Sequence, residues 1–300
     1  MKRGTIFVGV LLVGVAALYY SQSRTKPTPV SANAIVALAA DAQRDLSRVP
    51  MKITRLSDDE EIAIGKQLAG QYAGSDGKLR PEELALASYI GRVGDSVASH
   101  AHRHLPYSFH LLPDPSMMNA FSLPGGPVYV GEGLLDLVTS EDELAIVLGH
   151  EIEHIDHYHC AERVQIEARL RSLKLDVVGA LVQIPVAVWE AGYNKDEELE
   201  ADREGMRLAV LGGYSPYGAV TLFEEFAKLR NEYIIHAQSP EEELSELAIQ
   251  SLEGFFRSHP QPSERLAQAH RVIVQESWQN RKAQKPFRLA YEVHNGEYVK

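Results

Sequence analysis

An α+β fold, mostly helical with one small sheet, is the class this sequence predicts. Three observations carry it. Most of the chain falls into capped segments whose apolar residues recur at helical spacing. The β-prone runs are short and confined to residues 107–112 and 118–137, apart from a terminal pair. No internal repeat or low-complexity tract interrupts the pattern, so helices and strands segregate as in an α+β domain. With 300 residues, 45% hydrophobic and 24% charged, the chain has the size and composition to bury a full core. Its formal net charge of -11 argues against a nucleic-acid partner, which calls for a basic patch. Cys160 is the sole cysteine, so an intrachain disulfide and a multi-cysteine zinc site are both excluded.

The elements follow in order. Lys2 and Arg3 precede an uncharged, mostly apolar run over 4–20, so residues 1–22 read as a signal anchor or signal peptide. The bulky Leu18, Tyr19 and Tyr20 leave no small-x-small cleavage site there and favour the uncleaved anchor. Its positive end would then be cytoplasmic and the remainder extracytoplasmic. Residues 23–50 form a linker and leading segment, 51–279 the folded domain, and 280–300 a tail. Ser57 caps a helix over 57–72 with acids in its first turn, and a second helix spans 81–101. The run 107–112 alternates as a strand. Pro124-Gly125-Gly126-Pro127 marks a turn between two further strands. Ser140 and Glu143 form a capping box that opens a helix running through the histidines at 150–159 and beyond. The apolar run 177–189, interrupted by Pro185, is too short to cross a membrane. Helices are expected over 196–211, closed by Gly212-Gly213, and over 216–230, 240–256 and 262–279. Asn295-Gly296 suggests a terminal hairpin.

The chemistry concentrates in Leu-Gly-His-Glu-Ile-Glu-His-Ile-Asp-His-Tyr-His-Cys, residues 148–160. His150, Glu151 and His154 form H-E-x-x-H, and the i, i+4 spacing puts both imidazoles on one helical face, within reach of one zinc ion. Glu151, beside that face, is placed to accept a proton from water. Random placement of this chain's residues yields roughly 0.04 such matches, so a third ligand is required before the motif carries weight. Glu198 and Asp202, one turn apart on the helix over 196–211, are the candidates: Glu198 as ligand, Asp202 as a partner orienting a ligand imidazole. Glu197 and Glu200 read as the solvated face of that helix. His157 lies too far along its helix to join His150. On a continuous helix His159 faces the opposite side as a hydrogen-bonded core residue, and Cys160 reads as a small buried side chain.

These residues, with Asn119-Ala120-Phe121-Ser122-Leu123-Pro124-Gly125-Gly126 upstream and Ser258-His259-Pro260 with Arg265 downstream, resemble a family of zinc metallopeptidases. It is metallopeptidase family forty-eight, which includes the CAAX prenyl protease, HtpX and the mitochondrial Oma proteases. Its pattern of H-E-x-x-H followed by E-x-x-A-D or E-x-E-A-D implies that the third zinc ligand is Glu198 rather than Glu200. The resemblance spans about residues 56–269 and implies a zincin-like (gluzincin) domain binding one zinc ion per chain. Two positions depart from the pattern: Glu153 stands where Gly or Ala is usual, and Tyr158 where Arg is common. The single apolar segment makes the chain look like the single-domain exported bacterial members.

The function so implied is a zinc-dependent metalloendopeptidase cleaving extended or misfolded proteins in envelope quality control. It would be anchored on the extracytoplasmic side of a membrane, or soluble in the periplasm if the leader is cleaved. Zinc held by His150, His154 and Glu198 activates water, and Glu151 moves its proton to the leaving amine. Asn119 is a candidate clamp for the substrate backbone, and His259 and Arg265 are candidate donors to the oxyanion, His259 alternatively a removable fourth ligand. The competing readings are a non-proteolytic, zinc-binding chaperone or assembly factor of the same fold and, more weakly, a zinc hydrolase of small molecules.

Overall fold

Helix periodicity and end signals account for the elements seen in the computed structural model, which describes residues 56–72, 79–170, 193–233, 261–282, 285, 292–294 and 297–299. The apolar run 4–20, the run 177–189, the expected helix over 240–256 and His259 lie outside these residues. Helix α1 (Asp58–Ala69) starts at Ser57, whose hydroxyl and the Glu60 carboxylate complete a reciprocal capping box. Helix α2 (Pro81–Ala98) has Pro81 in its first turn, where a missing N–H costs nothing.

Strands β1 (Ser108–Leu112), β2 (Ala120–Ser122) and β3 (Pro127–Gly131) form a three-stranded sheet in the order β1-β3-β2. β1 runs parallel to β3 and β2 antiparallel to it, with Phe121 opposite Tyr129. The β2–β3 turn is where the sequence signals it. Gly125 and Gly126 have φ of 77° and 134°, a region that side chains rarely enter. A short helix α3 (Glu132–Leu135) follows, and β4 (Glu292–His294) and β5 (Glu297–Val299) form the expected terminal antiparallel pair.

Helix α4 (Glu141–Asp156) is the axis of the domain: nearly every residue in it is buried. Leu144, Leu148, Ile152 and Ile155 supply its apolar packing, against Ile90 and Val93 of α2 and Met206 and Ala209 further along the chain. A helix buried all round must find partners for its polar groups. Asp142 accepts from the backbone N–H of Ser215 and Lys285, and Asp156 from those of His102 and Arg103. The expected capping box is half formed. Ser140 accepts from the Glu143 N–H, but the Glu143 carboxylate takes the Thr139 N–H at 2.6 Å and the Thr221 hydroxyl instead of returning to Ser140.

The expected continuous helix breaks. After Asp156 the chain turns through His157 and Tyr158, and α5 (His159–Leu170) begins anew. Tyr158 has φ 64°, a conformation costing a side chain on the order of 1 kcal/mol. Its ring lies under the Arg103 guanidinium at 3.7 Å, which holds the turn. Helix α6 (Lys195–Leu211) is capped by Asn194, and Glu197 completes its capping box. Glu197 is therefore a buried capping residue, not part of a solvated face. Helices α7 (Tyr217–Tyr233) and α8 (Pro262–Gln275) complete the layer behind α4 and α6. Among the described residues no helix is long and apolar enough to cross a membrane.

Candidate metal centre

The centre forms where α4 crosses α6. That crossing is close because both helices have glycine at it: a Cβ on Gly205 would stand 2.6 Å from the Gly149 carbonyl carbon, and one on Gly149 2.5 Å from the Gly205 oxygen. Real side chains do not approach so near, so only glycine at both positions lets the backbones meet. Gly149 precedes His150, and Gly205 lies three residues beyond Asp202. The contact therefore lays the histidine face of α4 directly on the acidic face of α6.

His150 and His154, one turn apart, bring their Nε2 atoms to 3.1 Å from each other. Glu198, fully buried, places Oε2 3.5 Å from His150 Nε2 and Oε1 3.7 Å from His154 Nε2. These three ligand atoms all lie within 4.8 Å of one another. The His150 Nδ1 proton goes to Asp202 Oδ1 at 2.9 Å, which leaves the Nε2 lone pair directed inward. Asp202 is itself clamped by Arg265, whose Nε and Nη2 donate to its two oxygens at 2.8 and 2.5 Å. Burial alone would raise the Asp202 pKa, but the guanidinium outweighs it and keeps the carboxylate below its ordinary value.

Lone pairs and a buried carboxylate converging on one point call for a positive charge there. The same field acts on His150: burial disfavours its charged form, yet the hydrogen bonds to Asp202 and Glu198 prevail and push its pKa up to about 10. Two imidazoles and a carboxylate suit a divalent transition metal, with a fourth position left for water or substrate. Glu151, on the same turn as His150, accepts a hydrogen bond from the Ser122 hydroxyl of β2 at 2.9 Å. It lines a cleft together with His150, Asn119, Ala120 and Arg265.

The sequence-derived residues are therefore largely brought together. His150, His154, Glu198, Asp202 and Glu151 share one buried centre, and Asn119 and Arg265 reach its cleft. Arg265, expected as an oxyanion donor, has two of its nitrogens engaged by Asp202. The Asn119 side chain accepts from the Ala120 N–H at 3.0 Å.

Several participants had no signal in the motif. Tyr193 stacks on the His154 ring with centroids 3.8 Å apart, and its N–H donates to Glu198 Oε1 at 3.2 Å, so it braces two candidate ligands at once. Ser122 steadies Glu151. His159 is buried and hydrogen-bonded as expected, but it is not on the far side of α4. The break at Tyr158 swings it back until its Nδ1 lies 2.9 Å from His154 Nδ1. Burial lowers the His159 pKa despite the nearby Glu200 carboxylate, favouring a neutral ring. Glu200, expected to be solvated, is instead half-buried and stands 3.6 Å from His159 Nε2.

Comparison with known proteins points the same way. Residues 85–273 match the model of peptidase family M48. The beta-barrel assembly-enhancing protease of Escherichia coli (strain K12) is 29% identical over 234 residues, covering 71% of this chain but 44% of that protein. The chain thus spans less than half the length of that relative. The mitochondrial metalloendopeptidase OMA1 of Schizosaccharomyces pombe is 29% identical over 195 residues, 60% of this chain and 57% of its own length. Metalloprotease LoiP of Escherichia coli (strain K12) is 24% identical over 212 residues, 67% of this chain and 79% of its own. A family model covering more than half of the chain encloses every residue of this buried centre, and the chain belongs to peptidase family M48.

Proposed function

We propose that the chain is a zinc metalloendopeptidase that hydrolyses peptide bonds of extended or misfolded proteins. The observation that carries this reading is the Glu151 carboxylate, steadied by Ser122 and facing the cleft beside the converging His150, His154 and Glu198. In this reading His150 and His154 bind zinc through Nε2 and Glu198 through a carboxylate oxygen, one ion per chain. Bound there, zinc lowers the pKa of water towards ~7 and polarises a peptide carbonyl.

The chain's own residues do the rest. Glu151 takes the proton from the attacking water on its carboxylate and delivers it to the departing amine nitrogen, which leaves as a neutral amine. Asp202, held by Arg265, keeps the His150 proton on Nδ1 and the ring in orientation. β2 is an edge strand of the sheet, and an extended substrate adding to it would run past Asn119 towards Glu151. That pairing favours a peptide over a small molecule. Asn119 clamps its backbone, and Arg265 or His259 donates to the oxygen that gains charge.

The setting follows from the leader. Lys2 and Arg3 ahead of the apolar run 4–20 support export, with the domain anchored extracytoplasmically, or periplasmic if the leader is removed. Envelope quality control is the matching role, supported by relatives named for barrel assembly and for proteolysis. N-terminal sequencing of the mature protein and membrane fractionation decide between anchor and cleaved leader.

The activity test uses the zinc-loaded chain with casein or an unfolded membrane-protein fragment. Cleavage should fall about 10²–10⁴-fold in Glu151→Gln while zinc content is unchanged. Glu198→Ala should lose both. Client binding by the wild type without cleavage would overturn the peptidase in favour of a zinc-binding chaperone.

A further inference from the structure

Beside the first centre lies a second convergence of ligand atoms, built from the end of α4, the start of α5 and the middle of α6. His157, His159 and Glu200 offer atoms that all lie within 4.8 Å of one another. His159 Nε2 and His157 Nδ1 stand 3.6 and 3.7 Å from the same Glu200 oxygen, Oε2. Ligand atoms about 2.0–2.1 Å from a tetrahedral ion are spaced about 3.4 Å apart, so a small contraction suffices to seat one. The Glu200 side chain is 39% exposed and that of His157 31%, so an ion can enter from solvent.

Glu153, the carboxylate standing where the family usually has Gly or Ala, supplies an independent pointer. It is 1% exposed, and neither of its oxygens has a hydrogen bond of good geometry among the described residues. Among the described residues its side chain makes one ion-pair contact, Oε2 to His157 Nε2 at 3.0 Å. A buried carboxylate left this way stays charged only with positive charge nearby. It also fixes the His157 ring so that Nε2 faces Glu153 and Nδ1 faces Glu200, the arrangement in which an outer carboxylate orients a ligand imidazole. The other Glu200 oxygen has Arg203 Nη2 at 3.6 Å, which leaves Oε2 for the two rings.

We propose that His157, His159 and Glu200 form a second, solvent-accessible site for a zinc-class divalent cation, and that filling it opposes metal binding at His150, His154 and Glu198. The antagonism follows from one hydrogen bond. His154 Nδ1 and His159 Nδ1 face each other at 2.9 Å, and only one of the rings can donate. When His154 donates, its Nε2 lone pair serves the first centre, and the neutral His159 carries its own proton on Nε2, which bars metal there. When His159 donates, the roles reverse. Both centres fill together only if that hydrogen bond breaks or one more proton leaves the pair. The antagonism rests on the reading of His154 as a ligand; the second site does not.

The test titrates the full chain with zinc alone, counting bound metal after dialysis against buffered free zinc, with cobalt absorption spectra in parallel. Wild type should take one tight equivalent and a second at higher free zinc. His157→Ala and Glu200→Gln should lose only the second, and Glu200→Gln, half exposed, serves if His157→Ala fails to fold. Glu198→Ala should lose the tight equivalent and take the remaining one at about tenfold lower free zinc than wild type needs, since coupling between sites is reciprocal. Excess zinc should inhibit peptide cleavage by wild type but not by His157→Ala. Uptake by His157→Ala and Glu200→Gln indistinguishable from wild type would overturn the second site. An unchanged second affinity in Glu198→Ala would overturn the antagonism. A tight equivalent that survives in Glu198→Ala would instead refute the first-centre ligand assignment, leaving the second site to its own variants.

Discussion

Asp202 never touches the space between the ligand atoms, yet it ties the histidine of α4 to the arginine of α8. Removing it frees the His150 ring to rotate or change tautomer and leaves Arg265 as a buried cation without its partner. Asp202→Ala should weaken metal binding about 10–100-fold, read by competition with a chromogenic chelator. Arg265→Met should weaken it too, and each variant should cost about 3–5 kcal/mol of stability, because each leaves the other partner as a buried, unpaired charge. Equal chelator competition by wild type and Asp202→Ala would refute the orienting role. Ser122 calls for a different readout. Its hydroxyl touches Glu151 and no metal-facing atom, so Ser122→Ala should leave metal content intact. It should lower kcat by about tenfold, the kinetic equivalent of one hydrogen bond to a charged group.

At the scale of the elements, the approach of α4 to α6 positions everything else. Gly205→Ala inserts a methyl 2.6 Å from the backbone of Gly149, and backbone cannot rotate away as a side chain can. Denaturant unfolding should show a loss of about 1–3 kcal/mol, with metal affinity falling alongside as the ligand sets separate. Gly91, inside α2, is the contrasting case. Nothing lies within 4 Å of a Cβ built there, so Gly91→Ala should stabilise the chain by about 0.5–1 kcal/mol. The two glycines look alike in sequence, each an interruption in a helical pattern, and only the tertiary contact separates them. That difference marks what was legible. H-E-x-x-H fixes its own geometry because i, i+4 is a local relation, and Glu198 with Asp202 repeats that logic on α6. The helix caps at Ser57 and Asn194 and the turn at Gly125-Gly126 are equally local. Tyr193, the return of His159 to His154 and the break at Tyr158 were not legible, because each depends on a partner distant in sequence or across a turn. Arg103, more than fifty residues upstream, must lie over the Tyr158 ring for that turn to persist. Glu197 differs from its expected place for a related reason: an acid in a first helical turn looks solvated unless its carboxylate closes the cap on Asn194.

For the molecule as a whole, the proposed metal is a structural bond between two helices as well as a reagent. His150 and His154 come from α4, Glu198 from α6, and the Arg265 clamp that supports them from α8, so an ion at this point joins three helices of one core. Stripped of it, the folded chain must keep Glu198 buried against two imidazoles whose Nε2 atoms are 3.1 Å apart. In the unfolded chain the same groups return to water, so removing the metal penalises only the folded state. An ion held at 100 times its dissociation constant adds about 2.7 kcal/mol of stability. For a domain of this size that corresponds to a Tm shift of roughly 5–10 °C. Calorimetry of wild type before and after chelation should show that shift, and adding back zinc should reverse it. Glu198→Ala, combined with His157→Ala to remove the second site, should melt near the chelated wild type and respond little to chelation, because the bond across α4 and α6 is already cut. His157→Ala, which leaves the three ligands untouched, should retain the full shift. A chelation shift equal in wild type and the double variant would mean that the stabilising ion sits somewhere other than the crossing of these two helices.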